Sequence, residues 1–390
     1  MKILFILDYS FPNPSAPSNR IASLVKSLEL RTNEVSLLCI RGTYATKDEI
    51  VYKNGNQIIY SCNRVRNSNY FFRNFNKIIG FLNSFSIIVK ENRKEKIDVV
   101  FLPVKLNFYN SVIYVLSRVL NFKIAHERSE FPEIYKKNII SKIGYYYYTK
   151  FFIKKLDGII VMTDSLNKYY SELASTRTKV KTIPMSVDFD RFKVPKKEKD
   201  LRYIAYCGNV SNKKDGVDIL IRAFGIICSS FPEVKLYIIG GSSDKNLLNV
   251  LEDLCIELKI KEKVIFTGRV RTENMPNYLL NASVLALARP SSLQASGGFP
   301  TKLGEYLATK NPVVVTDVGE ISRYLKDGVS AYISAPDSVE EFASKLNECL
   351  SNSEKSKRIG EKGYEVAKKY FDYRSQSDSL TQFLLEVVNK

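Results

Sequence analysis

No uncharged apolar run in the 390-residue chain approaches the roughly 20 residues that a membrane-spanning helix needs, so no spanning segment is expected. The six cysteines (Cys39, Cys62, Cys207, Cys228, Cys255 and Cys349) include no C-x-x-C spacing and mostly sit inside apolar runs. That pattern argues against a disulfide frame or a zinc site and for reduced core thiols. Gly and Pro, at 18 and 13, are not enriched, and 45% of the residues are hydrophobic, so neither a fibrous repeat nor global disorder is indicated. No internal period marks a solenoid. No G-x-G-x-x-G follows the opening "KILFIL", which argues against a nicotinamide dehydrogenase.

The length suits two ordinary domains, each with its own core. The start, "MKILFILDYS", has one Lys and a short apolar run, better read as a first β-strand than as a signal peptide, so a cytoplasmic protein is expected. The first half alternates short apolar runs ("KILFIL", "EVSLLCI", "IDVVFLP", "FKIAHE", "GIIVMTD") with amphipathic stretches. The second repeats the rhythm in "RYIAYCG", "VKLYIIGG", "KVIFTG", "SVLALA" and "PVVVTD". This rhythm predicts an α/β protein of two doubly wound parallel sheets with helices on both faces. The polar segment 186–202 is the expected linker, giving domains 1–186 and 187–370, with 371–390 as a helix crossing back to the first.

A formal charge of +18 calls for an anionic partner: nucleic acid, a membrane surface or a small substrate. Between Arg64 and Lys90 there is no acid, and basic residues alternate with Tyr, Phe, Ile and Leu. The same mixture recurs in "KKNIISKIGYYYYTKFFIKK", residues 136–155. Such stretches suit a helix lying in anionic lipid headgroups. The plain alternative is that the apolar residues are core and the lysines a solvated face. No nucleic-acid motif accompanies them, and none is expected as a partner.

In the second half, "YCGNVSNKKDGVDILIRAF" reads as strand, turn and a helix starting near Gly216. Asn209, Lys213 and Lys214 then lie at the carboxyl edge of the sheet, where open α/β sheets bind ligands. "YIIGG", ending at Gly241, and "FTGRV", with Arg269 and Val270, place further glycine turns on that edge. In "SGGFPTKLGEYLA", Gly297 and Gly298 free the backbone and a helix starts near Thr301, followed by Lys302. Exposed amides at such a helix start attract anions. Glu305 lies at i+4 from Thr301 on the same face, a carboxylate able to accept from two neighbouring hydroxyls, as on a ribose.

On these residues the chain resembles the retaining glycosyltransferases of family 4, nearly end to end and most strongly over 203–335. The resemblance implies the GT-B fold, two Rossmann-like domains facing each other across a cleft. The family signature is a Glu, seven residues, and a second Glu. The second matches Glu305 and implies a ribose contact, whereas the first falls on Gly297. The following turn, Gly298, Phe299 and Pro300, is implied to contact the donor sugar through its backbone. Lys214, Lys213, Asn209, Thr301 and Lys302 are implied at the donor diphosphate, and Glu305, Arg269, Val270 and Gly241 at the nucleoside. The N-terminal loop lacks the family's glycine pair and leaves Ser15, Ala16, Ser18, Asn19 and Arg20 in its place. A His or an acid near the reacting sugar corresponds to His126 or Glu130, according to how the strand is aligned.

The resemblance implies transfer of a sugar from a nucleotide diphosphate sugar, with UDP expected, to a hydroxyl acceptor with retention. A lipid-linked acceptor, bacterial surface polysaccharide synthesis and attachment to the inner membrane face are the accompanying expectations. No cofactor and no metal are expected: Asp188 to Asp190 form an Asp-x-Asp, but it falls in the linker. Two alternatives remain open at this point, a nucleotide-sugar isomerase or hydrolase of the same fold, and a catalytically silent binding subunit suggested by Gly297.

Overall fold

Residues whose neighbours on both sides of a strand are apolar can be buried only if both sheet faces are covered, and a parallel sheet under two helix layers does this. The computed structural model describes residues 1–9, 11, 15–41, 57–62, 69–103, 107–136, 138–195 and 202–389. Ser10 and residues 12–14 of the N-terminal loop, residues 63–68 and Lys137 of the basic stretches, and 196–201 of the linker lie outside the described residues.

The chain divides into two units, Met1–Pro184 with Gln376–Lys390, and Met185–Ser375. The sequence expectation set these limits at 186/187 and 370/371.

The first unit holds β1 (Lys2–Leu7), β2 (Glu34–Cys39), β3 (Gln57–Tyr60), β4 (Val99–Phe101), β5 (Lys123–Arg128), β6 (Gly158–Val161) and β7 (Lys179–Thr182). All are parallel, in the order β3-β2-β1-β4-β5-β6-β7. β1 is buried along its whole length and β7, "KVKT", is only half covered, as befits a centre and an edge. The helix Ser377–Val388 belongs to this unit. Its Leu380, Phe383, Leu384 and Val387 join the core formed by β1, β2 and the helix Ala16–Glu29. Ser377 Oγ donates to the Ser27 carbonyl at 2.5 Å, and Arg31 pairs with Asp378.

The second unit holds β8 (Tyr203–Cys207), β9 (Lys235–Ile239), β10 (Val264–Gly268), β11 (Val284–Leu287), β12 (Val313–Thr316) and β13 (Tyr332–Ser334), in the order β10-β9-β8-β11-β12-β13. All its pairings are parallel. In each sheet the strand order reverses once, between β1 and β4 and between β8 and β11. Such a reversal leaves a crevice beyond the carboxyl ends of the strands, where open α/β sheets place ligands.

Candidate functional site

Beyond β8 the backbone of the second unit stays closely laced without side chains. Gly208 N–H donates to the Ile239 carbonyl at 2.9 Å, Val210 N–H to Gly241 at 2.9 Å and Gly240 N–H to Gly268 at 3.0 Å. Gly240 has φ 134°, and a Cβ there would overlap the Gly208 carbonyl. Glycine is therefore what lets three strand ends meet as bare peptide. The Arg269 side chain lies along Gly241, whose added Cβ would stand 3.2 Å from Arg269 Cγ. The predicted nucleoside residues Gly241, Arg269 and half-buried Val270 thus share one strip with the β8 edge.

The segment after β8 is a short helix, Asn212–Asp215, capped by Ser211 and followed, across Gly216 with φ 62°, by the longer helix Val217–Ile227. The expected single helix from Gly216 is thus two, because Gly216 must take a left-handed conformation where its Cα abuts the Ala288 carbonyl at the end of β11. Lys213 and Lys214 are exposed on the short helix and Asn209 precedes it, its carbonyl accepting from Tyr206 Oη at 2.8 Å. Asp215 is buried and receives Lys302 Nζ at 2.6 Å and Tyr206 Oη at 2.8 Å. Lys302 also donates to Tyr206 Oη at 3.1 Å. Burial pushes the Lys302 pKa down while Asp215 pulls it up, and burial holds the Tyr206 phenol well above its ordinary range.

The helix Thr301–Leu307 starts at Thr301 after Pro300, with no side-chain cap. Its Tyr306 reaches under β8, where the Cys207 N–H donates to Tyr306 Oη at 2.7 Å, and its Gly304 lets Met185 and Val187 cross in contact. Glu305, on the same helix, accepts from Arg191 Nη1 at 2.6 Å. Burial pushes the Cys207 thiol up to about 12; Glu305 raises it and Lys302 and Arg191 lower it. All three charges therefore act on one strand end. Lys214 in turn depresses Lys302. Among the described residues Lys213, Lys214 and Arg269 form no ion pair, whereas Glu305 is held by Arg191.

Residues 187–366 match the family model described as glycosyl transferases group 1. An uncharacterized glycosyltransferase of Methanocaldococcus jannaschii is 33% identical over 143 residues, 36% of this chain and 34% of the relative. A GDP-mannose-dependent alpha-(1-6)-phosphatidylinositol monomannoside mannosyltransferase of Mycolicibacterium smegmatis is 24% identical over 216 residues, 52% of this chain and 55% of the relative. The chain thus spans about a third and about half of these curated relatives. Among solved structures, sucrose-phosphate synthase from Thermosynechococcus elongatus superimposes with a TM-score of 0.76 at 16% identity, covering 100% of this chain and 99% of its own. Anabaena HepE in complex with UDP gives 0.74 at 14%, covering 99% and 100%. The family-model match covers nearly the whole second unit, and the chain has the GT-B fold.

In the second unit the turn expected at the donor sugar is built differently from the sequence expectation. Gly297 is the last residue of a short helix, Leu293–Gly297, capped by Ser292. The Gly298 N–H closes that helix by donating to the Gln294 carbonyl at 3.1 Å, so it is not available to a sugar hydroxyl. The Phe299 ring turns into the core against Tyr324 and Phe371, and Pro300 is buried. Asp188 and Asp190 are also spoken for. Asp188 caps the turn Phe189–Phe192, and Asp190 pairs with Lys193 and Arg374.

The first unit of the GT-B fold treats its predicted residues otherwise. Ser15 caps the helix Ala16–Glu29 by accepting from Ser18 N–H, while Ala16 and Asn19 are exposed. Arg20 is buried, pairs with Glu127 at 3.1 Å and donates to the carbonyls of Ile183 and Pro184, tying the helix to the chain after β7. His126 is wholly buried, its ring stacked on Tyr148 and tilted toward Phe152, with Nδ1 3.3 Å from Tyr148 Oη and Nε2 without a partner among the described residues. Burial and Arg128 hold its pKa well below 6.5. Inside the sheet it touches no open space where the expected role beside a reacting sugar could be exercised. Glu130 is half-buried, accepts from Tyr135 Oη at 2.8 Å, and offers its carbonyl to Tyr170. Of the two residues left open by sequence, Glu130 is the one that reaches the surface of the edge.

Arg191 and Asp215 were missed in the sequence. Each is joined to its partner only by tertiary structure, and neither belongs to a local pattern.

Proposed function

We propose that this protein transfers a sugar from a nucleotide diphosphate sugar to a hydroxyl, and that the carboxyl edge of β8 is its donor site. The observation that carries the reading is the glycine edge at Gly208, Gly240 and Gly241, where Lys302 Nζ lies against Gly208 and Arg269 along Gly241, with exposed Lys213 and Lys214 on the short helix that follows β8 and Glu305 on the helix Thr301–Leu307. A diphosphate meets the lysines, a ribose diol meets Glu305 in place of Arg191, and the base lies along Gly241, Arg269 and Val270. UDP is the nucleotide we assign, supported by the likeness to a protein solved with UDP.

In the reaction the bond from the sugar anomeric carbon to the β-phosphate oxygen breaks and a bond to the acceptor oxygen forms on the same face. The leaving phosphate takes the acceptor's proton, so configuration is retained and no side-chain base is required. Lys214 and Lys213 lower the energy of the departing charge, while Lys302 holds Asp215 and Tyr206 in place beneath them. The acceptor is assigned to the first unit as a lipid-linked hydroxyl in surface polysaccharide assembly, with the protein held at the inner face of the membrane. No metal or cofactor enters this scheme.

A second reading, a nucleotide-sugar-binding subunit without transfer, is favoured by Gly297 together with the engaged Gly298 amide. Incubation with a panel of nucleotide sugars and lipid extract separates the two. Release of free nucleotide with a glycosylated lipid supports transfer, whereas binding without turnover supports the subunit. Isomerised or hydrolysed sugar without a glycosylated product would contradict both.

A further inference from the structure

Strands β3 to β6 are joined by crossovers that all advance in one direction across the sheet, and right-handed crossovers then place their helices on one face. Those helices are Tyr70–Lys94, Asn107–Leu120 and Ile139–Tyr147, the last running on through residues 148–155. They touch one another. Tyr109 packs on Phe81 and Phe85 and donates to Ser84, Asn107 Nδ2 donates to the Gly144 carbonyl at 2.7 Å, and Ser111 Oγ meets Tyr147 Oη at 2.7 Å.

The outer side of this layer is apolar. On the first helix Phe71, Phe75, Ile78 and Leu82 fall at i, i+4, i+7 and i+11, one stripe, and all are exposed, with Phe72 beside them. On the second, Phe108, Val115 and Val119 repeat the spacing, Phe108 at 85% exposure. On the third, Ile140 (78%), Ile143, Tyr147 and Phe151 do so again, flanked by Ile139 and Tyr146. Fourteen of the twenty-three exposed large hydrophobic residues among the described ones thus lie on one layer, which no helix among the described residues covers. These residues are therefore not the core that the plain reading of the basic stretches supposed.

The charge on the same layer is mostly of one sign. Lys77, Lys90, Arg118, Lys142, Lys150, Lys154 and Lys155 lie on these helices, whose one acid, Glu91, is buried on Lys94, while Arg118 pairs with Asp157 from the loop beyond. Two copies of such a face would bring lysines together with few acids between them. A sheet of anionic headgroups over acyl chains complements both features, since aromatic and aliphatic side chains enter the interface while lysines reach phosphates.

We propose that this three-helix face of the first unit docks on an anionic lipid bilayer, with no segment crossing it. The proposal deepens the lipid-linked-acceptor part of the function above and is tested apart from it. The full chain is floated with vesicles of phosphatidylcholine alone and of phosphatidylcholine with phosphatidylglycerol. Expected is flotation with the anionic vesicles only, lost in I140E/I143E and in F108S, and weakened roughly fivefold for each of Lys150, Lys154 and Lys155 changed to Gln. I226E/V250E, at exposed apolar positions of the second unit, should float like the parent. Unchanged thermal midpoints and unchanged calorimetric binding of UDP certify the variants as folded.

The proposal is overturned if the parent ignores anionic vesicles while still binding UDP, or if I140E/I143E and I226E/V250E float alike. It is also overturned if sedimentation shows a dimer that I140E/I143E dissociates, or a complex with an acidic protein that replaces lipid binding. If UDP binding fails while flotation holds, the donor-site reading falls and the docking face stands.

Discussion

The carboxyl ends of β8 and β5 both gather cations beside tyrosines, and they hold them in different ways. At β8, Lys302 and Asp215 form a pair that both Tyr206 and a buried environment hold, while Lys213 and Lys214 after β8 and Arg269 after β10 are exposed. At β5, Arg128 is buried with its guanidinium 4.0 Å over the Tyr148 ring and Nε donating to Tyr148 Oη, while His126 is sealed beside it. One edge keeps its charge where an anion can reach it; the other spends tyrosine rings to keep charge inside. Burial thus separates two chemically similar groups of residues into a binding surface and a support.

If the β8 edge depends on its buried pair, D215A should have the largest effect. Lys302 would be left charged and buried without its counter-ion, and a loss of about 3 kcal/mol is expected in denaturant unfolding. D215N/K302M should be less damaging than D215A alone, because it removes both charges together. Equal losses for the two variants would show that the pair is not what organises this edge.

At β5 the corresponding lever is pH. His126 has a folded pKa depressed below that of the unfolded chain, so below about 6.5 the unfolded state binds more protons. Its contribution is intact above that pH and is lost as pH falls, at no more than about 1.4 kcal/mol per pH unit. H126F, which keeps a ring beside Tyr148 and Phe152 but cannot titrate, should therefore flatten the fall of the thermal midpoint between pH 7 and 5. An unchanged slope would place the acid sensitivity elsewhere.

The smallest effect should come from R191A. The Arg191–Glu305 pair is partly exposed, so stability should change by less than about 1 kcal/mol. Freeing the carboxylate should tighten UDP about twofold, because the ribose no longer competes with a guanidinium. Weaker binding would mean that Arg191 itself contacts the nucleotide.

Much of this arrangement was legible in the sequence. Apolar runs such as "KILFIL" and "RYIAYCG" read directly as buried parallel strands, because both faces of each are covered. The half-covered "KVKT" alternates lysine with Val and Thr over only four residues, too few for a period to mark it as a strand. Gly297 reads as part of a glycine turn and is instead the end of the helix Leu293–Gly297; Ser292 is its N-cap, but five residues are too few to show a period. The pairs Arg191–Glu305 and Asp215–Lys302 span 114 and 87 residues, and no local pattern encodes such a contact. The outward stripe of Asn107–Leu120 has the same periodicity a buried stripe would have, so only the fold shows that it faces outward.

The most direct test of the central claim is titration calorimetry of the full chain with UDP, beside the variant E305A at matched pH and salt. The account predicts saturable binding by the parent and at least about a tenfold loss in E305A, the size of a charge-assisted hydrogen bond, with an unfolding free energy unchanged to within about 1 kcal/mol. No binding of any nucleotide diphosphate, or equal affinities for the two proteins, would contradict it.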